Sequence, residues 1–159
     1  MDPTGKGFIQ IGIVGLGRFS RFHMDCLKQI PAVRIAAVCD INGEAAAAAA
    51  RELNCAAYTD VQRMLEETPL DALDVSTPEA LHGEAVLAGL AAGCDVFVEK
   101  PLAADPAEAE RMVRTAAERG RLLMVGHVTR FDPRCLAMKR AIDDGAVGRI
   151  RSIYAKRSD

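Results

Sequence analysis

Apolar positions along this chain come in two alternating rhythms. Short β-rich runs fall near residues 8–14, 33–39, 55–58, 72–76, 94–98 and 122–126, and longer stretches with helical spacing lie between them. Such runs, bounded by turn residues, predict strands, and their alternation with helices predicts βαβ units feeding a parallel sheet. Several helix ends are marked by chemistry as well as by spacing. Asp105-Pro106-Ala107-Glu108 sets a capping residue, an N1 proline and an N3 glutamate in order, and Gly120 can close the turn, which predicts a helix over 106–119. Thr77-Pro78 opens a helix that Gly93 closes, and Asp132-Pro133 opens another that Gly145 closes. The alanine run Ala45–Ala50 follows Asn42, a good N-cap, and reads as a helix with no function of its own. Six strands and six helices predict an α/β fold in three layers, doubly wound about a parallel sheet, with right-handed crossovers. One stretch falls outside that count. After Gly148, residues 149–157 (RIRSIYAKR) read as a seventh strand with no helix behind it.

Composition narrows the class. At 159 residues the chain is the size of one domain and can bury roughly 68–70% of its unfolded surface. Its 20 basic and 22 acidic residues are interspersed, so no basic stripe is offered to nucleic acid. No run approaches the roughly 18 consecutive apolar residues of a membrane span. Cys26, Cys39, Cys55, Cys94 and Cys135 lie far apart with no CxxC pair, which points to a reducing compartment and cytoplasmic residence. Residues 1–7 carry one basic residue, Lys6, and no apolar core, so they read as a flexible tail and not as a secretory signal. The three histidines are widely separated with no carboxylate cluster beside them in sequence, and no metal site is expected.

Candidate chemistry begins where the first predicted strand ends. Phe8–Val14 runs directly into Gly15-Leu16-Gly17-Arg18-Phe19-Ser20 and a helical pattern, the setting in which a glycine-rich turn receives a diphosphate in a Rossmann fold. Gly15 would permit the tight turn and Gly17 the close approach, and the helix N-terminus would add N–H groups and partial positive charge. Ser20 stands where glycine or alanine is usual, a departure toward the next smallest residue. Asp40 closes the second strand 25 residues after Gly15, about where an acidic group meets an adenosine ribose. A 2′-phosphate at ~4 Å from that carboxylate would meet repulsion of about 1–4 kcal/mol, which favours NAD(H) over NADP(H). The fifth strand ends in Glu99-Lys100-Pro101, a charged pair at the sheet edge where open α/β folds bind ligands; Pro101 holds Lys100 out of the α region.

Together GLGRFS (15–20), STPEALH (76–82), EKPLA (99–103) and GHVTRFDP (126–133) resemble the glucose-fructose oxidoreductase / inositol dehydrogenase / MocA family over essentially the whole chain from Phe8. The resemblance implies a nicotinamide-dependent dehydrogenase acting on a sugar, polyol or nucleotide-sugar hydroxyl, with GHVTRFDP most like the nucleotide-sugar branch. It implies that Gly15, Gly17, Arg18 and Phe19 cradle the pyrophosphate and that Asp40 meets the ribose. Ser76, Thr77, Pro78 and His82 would line the dinucleotide's path, and Glu99 and Lys100 would stand beside the nicotinamide ribose and ring. Lys100 would position the substrate hydroxyl and assist proton transfer. His127 and Arg130 would serve the substrate side, although Arg130 could equally pair with Asp132. His82 reads equally as a helix-face residue, and His23, inside the first helix, as a structural or surface one.

Members of that family are typically two-domain. On this reading 8–127 is the NAD-binding domain, 128–148 a linking helix, and 149–159 the first strand of a substrate domain that the sequence does not contain. An edge of unpaired N–H and C=O groups at 149–157 would fray or pair with a second copy. NAD binding without turnover is expected of these 159 residues alone. A stand-alone dinucleotide-binding or sensing module is the competing reading. A short-chain dehydrogenase is disfavoured, because neither Tyr58 nor Tyr154 has a lysine four residues on.

Overall fold

The structure, a computed structural model, describes residues 7–156. The predicted tail up to Lys6 and the end of the predicted last strand, from Arg157, lie outside the described residues. Two compact units are present, one ending at Gly126 and one beginning at His127.

The first unit alternates strand and helix as the pattern predicts. In order it comprises β1 (Ile9–Val14), α1 (Arg18–Leu27), β2 (Val33–Cys39), α2 (Gly43–Leu53), β3 (Ala56–Tyr58), α3 (Val61–Glu67), β4 (Ala72–Val75), α4 (His82–Ala91), β5 (Asp95–Val98), α5 (Pro106–Arg119) and β6 (Leu123–Val125). The strands form one parallel sheet in the order β3-β2-β1-β4-β5-β6, so the direction of winding reverses between β1 and β4. Parallel strands need a crossover each, and the helices fall on two faces. Ile13, Ile35 and Val38 pack with Met24 of α1 and Ala49 and Ala50 of α2 on one face. Val14, Leu73, Val75, Val96 and Val98 pack with Met64 of α3, Val86 and Leu90 of α4 and Met112 of α5 on the other. Ile35 and Val38 share a face although three residues apart, because Ala36 is an extra, unpaired residue: Ile11 pairs Ile35 while Gly12 pairs Ala37.

Caps explain where the helices begin. The side chains of Asn42, Asp60 and Asp105 accept hydrogen bonds from the first-turn N–H groups of α2, α3 and α5. The alanine run is an ordinary packing face, with Ala46, Ala49 and Ala50 buried at helical spacing.

One expectation is corrected. The helix predicted from Thr77-Pro78 opens instead with a 3-10 turn, Glu79–Leu81, closed by Leu81 N–H donating to the Pro78 carbonyl (2.8 Å), and α4 begins only at His82. Leu81, at φ −109° and ψ 1°, is outside the α region and separates the two. Residues 149–156, expected as a strand that would fray or pair with a second copy, have no regular secondary structure, and Ile153 (70%) and Tyr154 (88%) are exposed. A strand exists by pairing, and among the described residues no strand pairs with these.

The second unit holds a 3-10 turn, Val128–Phe131, and α6 (Pro133–Asp143), capped by Asp132. Among the described residues no helix is long and apolar enough to cross a membrane.

Candidate functional site

A cleft of about 630 Å³ opens at the carboxyl ends of β1, β2 and β4, where the winding reverses. It falls within the roughly 300–1,000 Å³ of ordinary ligand pockets. Gly15, Gly17, Arg18, Phe19, Asp40, Ser76, Thr77 and Pro78 line it together. These eight predicted positions are separated by up to 63 residues in sequence (78 − 15) and are joined by the sheet alone.

The glycine turn divides its labour. Gly15 has φ +86°, and a Cβ there would lie 2.8 Å from Ser76 C and from Thr77 N, so both its conformation and the neighbouring chain exclude a side chain. Gly17 has an ordinary extended conformation and open space where its Cβ would be. It also stands at the N-cap of α1 without any side-chain cap, which leaves first-turn N–H groups available to an anion. Ser20 is fully buried and donates its hydroxyl proton to the Gly17 carbonyl (2.7 Å), so the departure from glycine is accommodated and ties the turn to the helix.

Asp40 is held by two backbone donors. Its Oδ2 accepts from Leu16 N–H at 2.7 Å and its Oδ1 from Asn42 N–H at 2.8 Å. One carboxylate thus braces the middle of the glycine turn and the entry to α2. Each oxygen keeps a second lone pair, so two acceptor positions and the negative charge remain for a ligand. Opposite, Thr77 Oγ1 is buried with no hydrogen-bond partner among the described residues. An orphaned hydroxyl of that kind costs stability unless a ligand or water meets it.

The chemical end of the predicted site begins beside Phe19, which is half exposed. Lys100 Nζ lies 5.7 Å and Arg18 Cζ 5.8 Å from the Phe19 ring centroid, within cation–π range. Lys100 is exposed, its N–H donates to Glu99 Oε2 (3.1 Å), and its peptide bond to Pro101 is cis. Glu99 itself is buried and faces α1 rather than the cleft.

His82 is also turned away from the cleft. It is 1% exposed, its Nε2 lies 2.9 Å from the Thr77 carbonyl oxygen, and its Nδ1 lies 2.9 Å from that of Pro101. It fastens the segment after β4 to the segment after β5 from behind the cleft wall, and is neither a wall residue nor an exposed helix-face histidine. His127 and Arg130 are exposed residues of the second unit. Pairing of Arg130 with Asp132 is not seen: Arg134 takes that carboxylate through Nη2 (2.7 Å) and Nε (3.0 Å), holding it well below the usual carboxylate range.

Sequence reasoning passed over His23 and Asp74. His23 Nδ1 lies 3.0 Å from Asp74 Oδ2, and its Nε2 lies 3.3 Å from Glu99 Oε1. His23 is therefore no surface residue. The available signals were an acid inside an apolar strand, Ala72-Leu73-Asp74-Val75, and a histidine on the helix face that carries Ser20, Met24 and Leu27.

Comparison with known proteins identifies the family. Residues 9–127 match the family described as GFO_IDH_MocA, oxidoreductase family, NAD-binding Rossmann fold. The chain is 35% identical over 147 residues to the 2,7-anhydro-N-acetylneuraminate hydratase of Mediterraneibacter gnavus, covering 92% of this chain and 38% of that protein. It is 35% identical over 150 residues to inositol 2-dehydrogenase 2 of Saccharopolyspora erythraea, covering 92% and 44%. It superposes on the WlbA dehydrogenase of Bordetella pertussis, solved with NADH and UDP-GlcNAcA, with a TM-score of 0.87 at 33% identity over 90% of this chain and 44% of that one. The chain therefore spans about two fifths of the length of the relatives it matches.

Proposed function

This chain belongs to the Gfo/Idh/MocA oxidoreductase family as its NAD-binding Rossmann domain, and we propose that it is the coenzyme half of a dehydrogenase that moves hydride between NAD and a hydroxyl of a sugar, polyol or nucleotide sugar. The observation that carries this reading is the convergence, in one cleft, of an uncapped helix N-terminus, a glycine with open space before it, a ribose-ready carboxylate and an orphaned hydroxyl. Each fits a different part of a dinucleotide. Gly15, Gly17 and Arg18 hold the diphosphate, Asp40 the adenosine ribose, and Thr77 a polar group midway.

Nicotinamide supplies the hydride acceptor when bound. The protein's own contribution at the reacting end is Lys100, whose ammonium, beside Phe19, orients a hydroxyl and exchanges a proton with it. His127 and Arg130 are assigned to the substrate side, where Arg130, exposed and without an ion pair among the described residues, would be available to a phosphate or carboxylate. Residues 128–148 would link to a substrate domain whose first strand is 149–159, and in its company residues 149–156 would gain strand partners.

Titration calorimetry tests the reading. The 159-residue chain should release heat with NADH and bind NADPH more weakly, and should show no turnover of inositol or UDP-N-acetylglucosamine by itself. Absence of binding to either coenzyme would overturn the proposal.

A further inference from the structure

Behind the Glu99-Lys100-Pro101 segment lies a polar cluster whose internal bonding the proposed coenzyme contacts do not explain. Asp74 is the single acid of β4; Leu73 and Val75 belong to one core face, so the alternation of a strand sends Asp74 to the other, toward α1. His23 meets it there. Nδ1 of the ring lies 3.1 and 3.0 Å from the two Asp74 oxygens, and Nε2 lies 3.3 Å from Glu99 Oε1. Ser76, which lines the cleft, places its hydroxyl 3.2 Å from the same Nδ1 and donates to Asp74 Oδ1 at 3.1 Å. The Phe97 ring closes the cluster, nearly perpendicular to the imidazole with the ring centroids 5.4 Å apart. Gly126 seals Glu99 from the far side: a Cβ there would lie 3.0 Å from Glu99 Oε1 and 3.0 Å from Phe97 Cζ. Among the described residues no group of three such side chains has metal-holding geometry.

We propose that His23 is a positioning residue, which bridges Asp74 and Glu99 and thereby fixes the backbone from which Lys100 is presented to the coenzyme. The inference rests on the reading that Lys100 acts beside nicotinamide. A carboxylate only accepts hydrogen bonds, so a ring with a carboxylate at each nitrogen needs an N–H at both positions. Imidazolium has both; neutral imidazole has one. The hydrogen bond and charge of Asp74 and the charge of Glu99 outweigh the cost of burial and hold His23 above its ordinary value. Asp74 from β4 and Glu99 from the end of β5 are the charged groups that face it, while Ser76 and Phe97 carry no charge. Glu99 passes the constraint on through its second oxygen, which accepts from Lys100 N–H. When His23 loses its proton, one of the two carboxylates loses its donor, and Glu99 with the longer contact is released first.

The test uses nitrogen-15 NMR of the coenzyme-free chain from pH 6 to 9, followed by NADH titrations over the same range. The Lys100 amide resonance is expected to move with the same midpoint as the His23 ring nitrogens. NADH affinity is expected to fall at least threefold as that midpoint is crossed. His23→Gln should bind NADH at least threefold more weakly at pH 6 and lose the pH dependence. Gly126→Ala, which removes no polar group but displaces Glu99 by a few tenths of an ångström, should shift the Lys100 amide and carries the test if His23→Gln does not fold. A Lys100 amide that ignores His23 titration, or stays unmoved in Gly126→Ala, overturns the proposal. Failure of the wild-type chain to bind NADH at any pH would instead overturn the coenzyme reading, since the NMR coupling is measured without coenzyme.

Discussion

Gly15 and Gly17 are two residues apart in one turn, yet alanine should affect them in opposite ways. At Gly15 the φ of +86° costs an L-residue roughly 1–2 kcal/mol. The added methyl would also sit 2.8–2.9 Å from Ser76 and Thr77 backbone atoms, which cannot swing aside because Ser76 N–H is bonded to Val14 O and Gly15 N–H to Cys39 O. Forced overpacking of that kind adds roughly 1–3 kcal/mol, for a total of about 2–5 kcal/mol. At about 2–4 °C per kcal/mol for a chain of this size, Gly15→Ala should melt roughly 4–20 °C below wild type. Gly17 has φ −72° and no atom within 4 Å of a built Cβ, so Gly17→Ala loses only the modest N-cap preference of glycine, up to about 1 kcal/mol. Its methyl would project into the open space where the diphosphate is proposed to lie, and NADH affinity should drop at least tenfold while the fold stands. Thermal melts followed by circular dichroism and NADH titrations on both variants check the pair. Wild-type melting of Gly15→Ala would refute the described turn, and wild-type NADH affinity of Gly17→Ala would refute the placement of the diphosphate.

Asp40→Ser should both narrow the preference for NADH over NADPH and destabilise the chain by about 1.5–3 kcal/mol, because Leu16 N–H and Asn42 N–H lose a charged acceptor. Asp40→Asn keeps an acceptor oxygen, so it should lose the coenzyme preference with a smaller drop in melting temperature; equal melting of the two would contradict the bracing role. Burial pushes the Cys39 thiol up to about 11, whereas Cys26 is exposed, so a thiol reagent at pH 8 should label Cys26 promptly and reach Cys39 only on unfolding, as mass spectrometry of timed samples would show. The raised value of His23 gives a stability term that is fully present below its unfolded value of about 6.5 and is lost as pH climbs through the folded one. Melting temperature should therefore decline above neutrality in wild type more than in His23→Gln.

Most of the fold was legible because each element announces itself locally. β2 and α5 occupy the predicted spans 33–39 and 106–119, and the capping residues Asn42 and Asp105 do what their chemistry suggests. The misread points are those where distant chain decides. The first turn after Pro78 is 3-10 rather than α, and His82, which starts α4, is held there by carbonyls at Thr77 and Pro101 that no local pattern reveals. Residues 149–156 have the composition of a strand but no partner strand.

The candidate site shows the same division more sharply. Gly15, Gly17 and Asp40 were readable because each acts at the end of a strand and such ends are marked by abrupt changes from apolar to special residues. His23, Asp74 and Glu99 come from α1, the interior of β4 and the end of β5, and their association exists only after those elements are stacked. A buried acid still leaves a trace, since Asp74 sits 6% exposed in a strand where an unpaired charge would be prohibitively costly and so demands a partner. The search for that partner is short: α1 meets the face of β4 opposite Leu73 and Val75 at Asp74, its inward stripe contains Ser20, His23, Met24 and Leu27, and only His23 among these can donate to two carboxylates at once. An acid inside a strand and a histidine on the helix that covers it therefore amount to one signal read at two places.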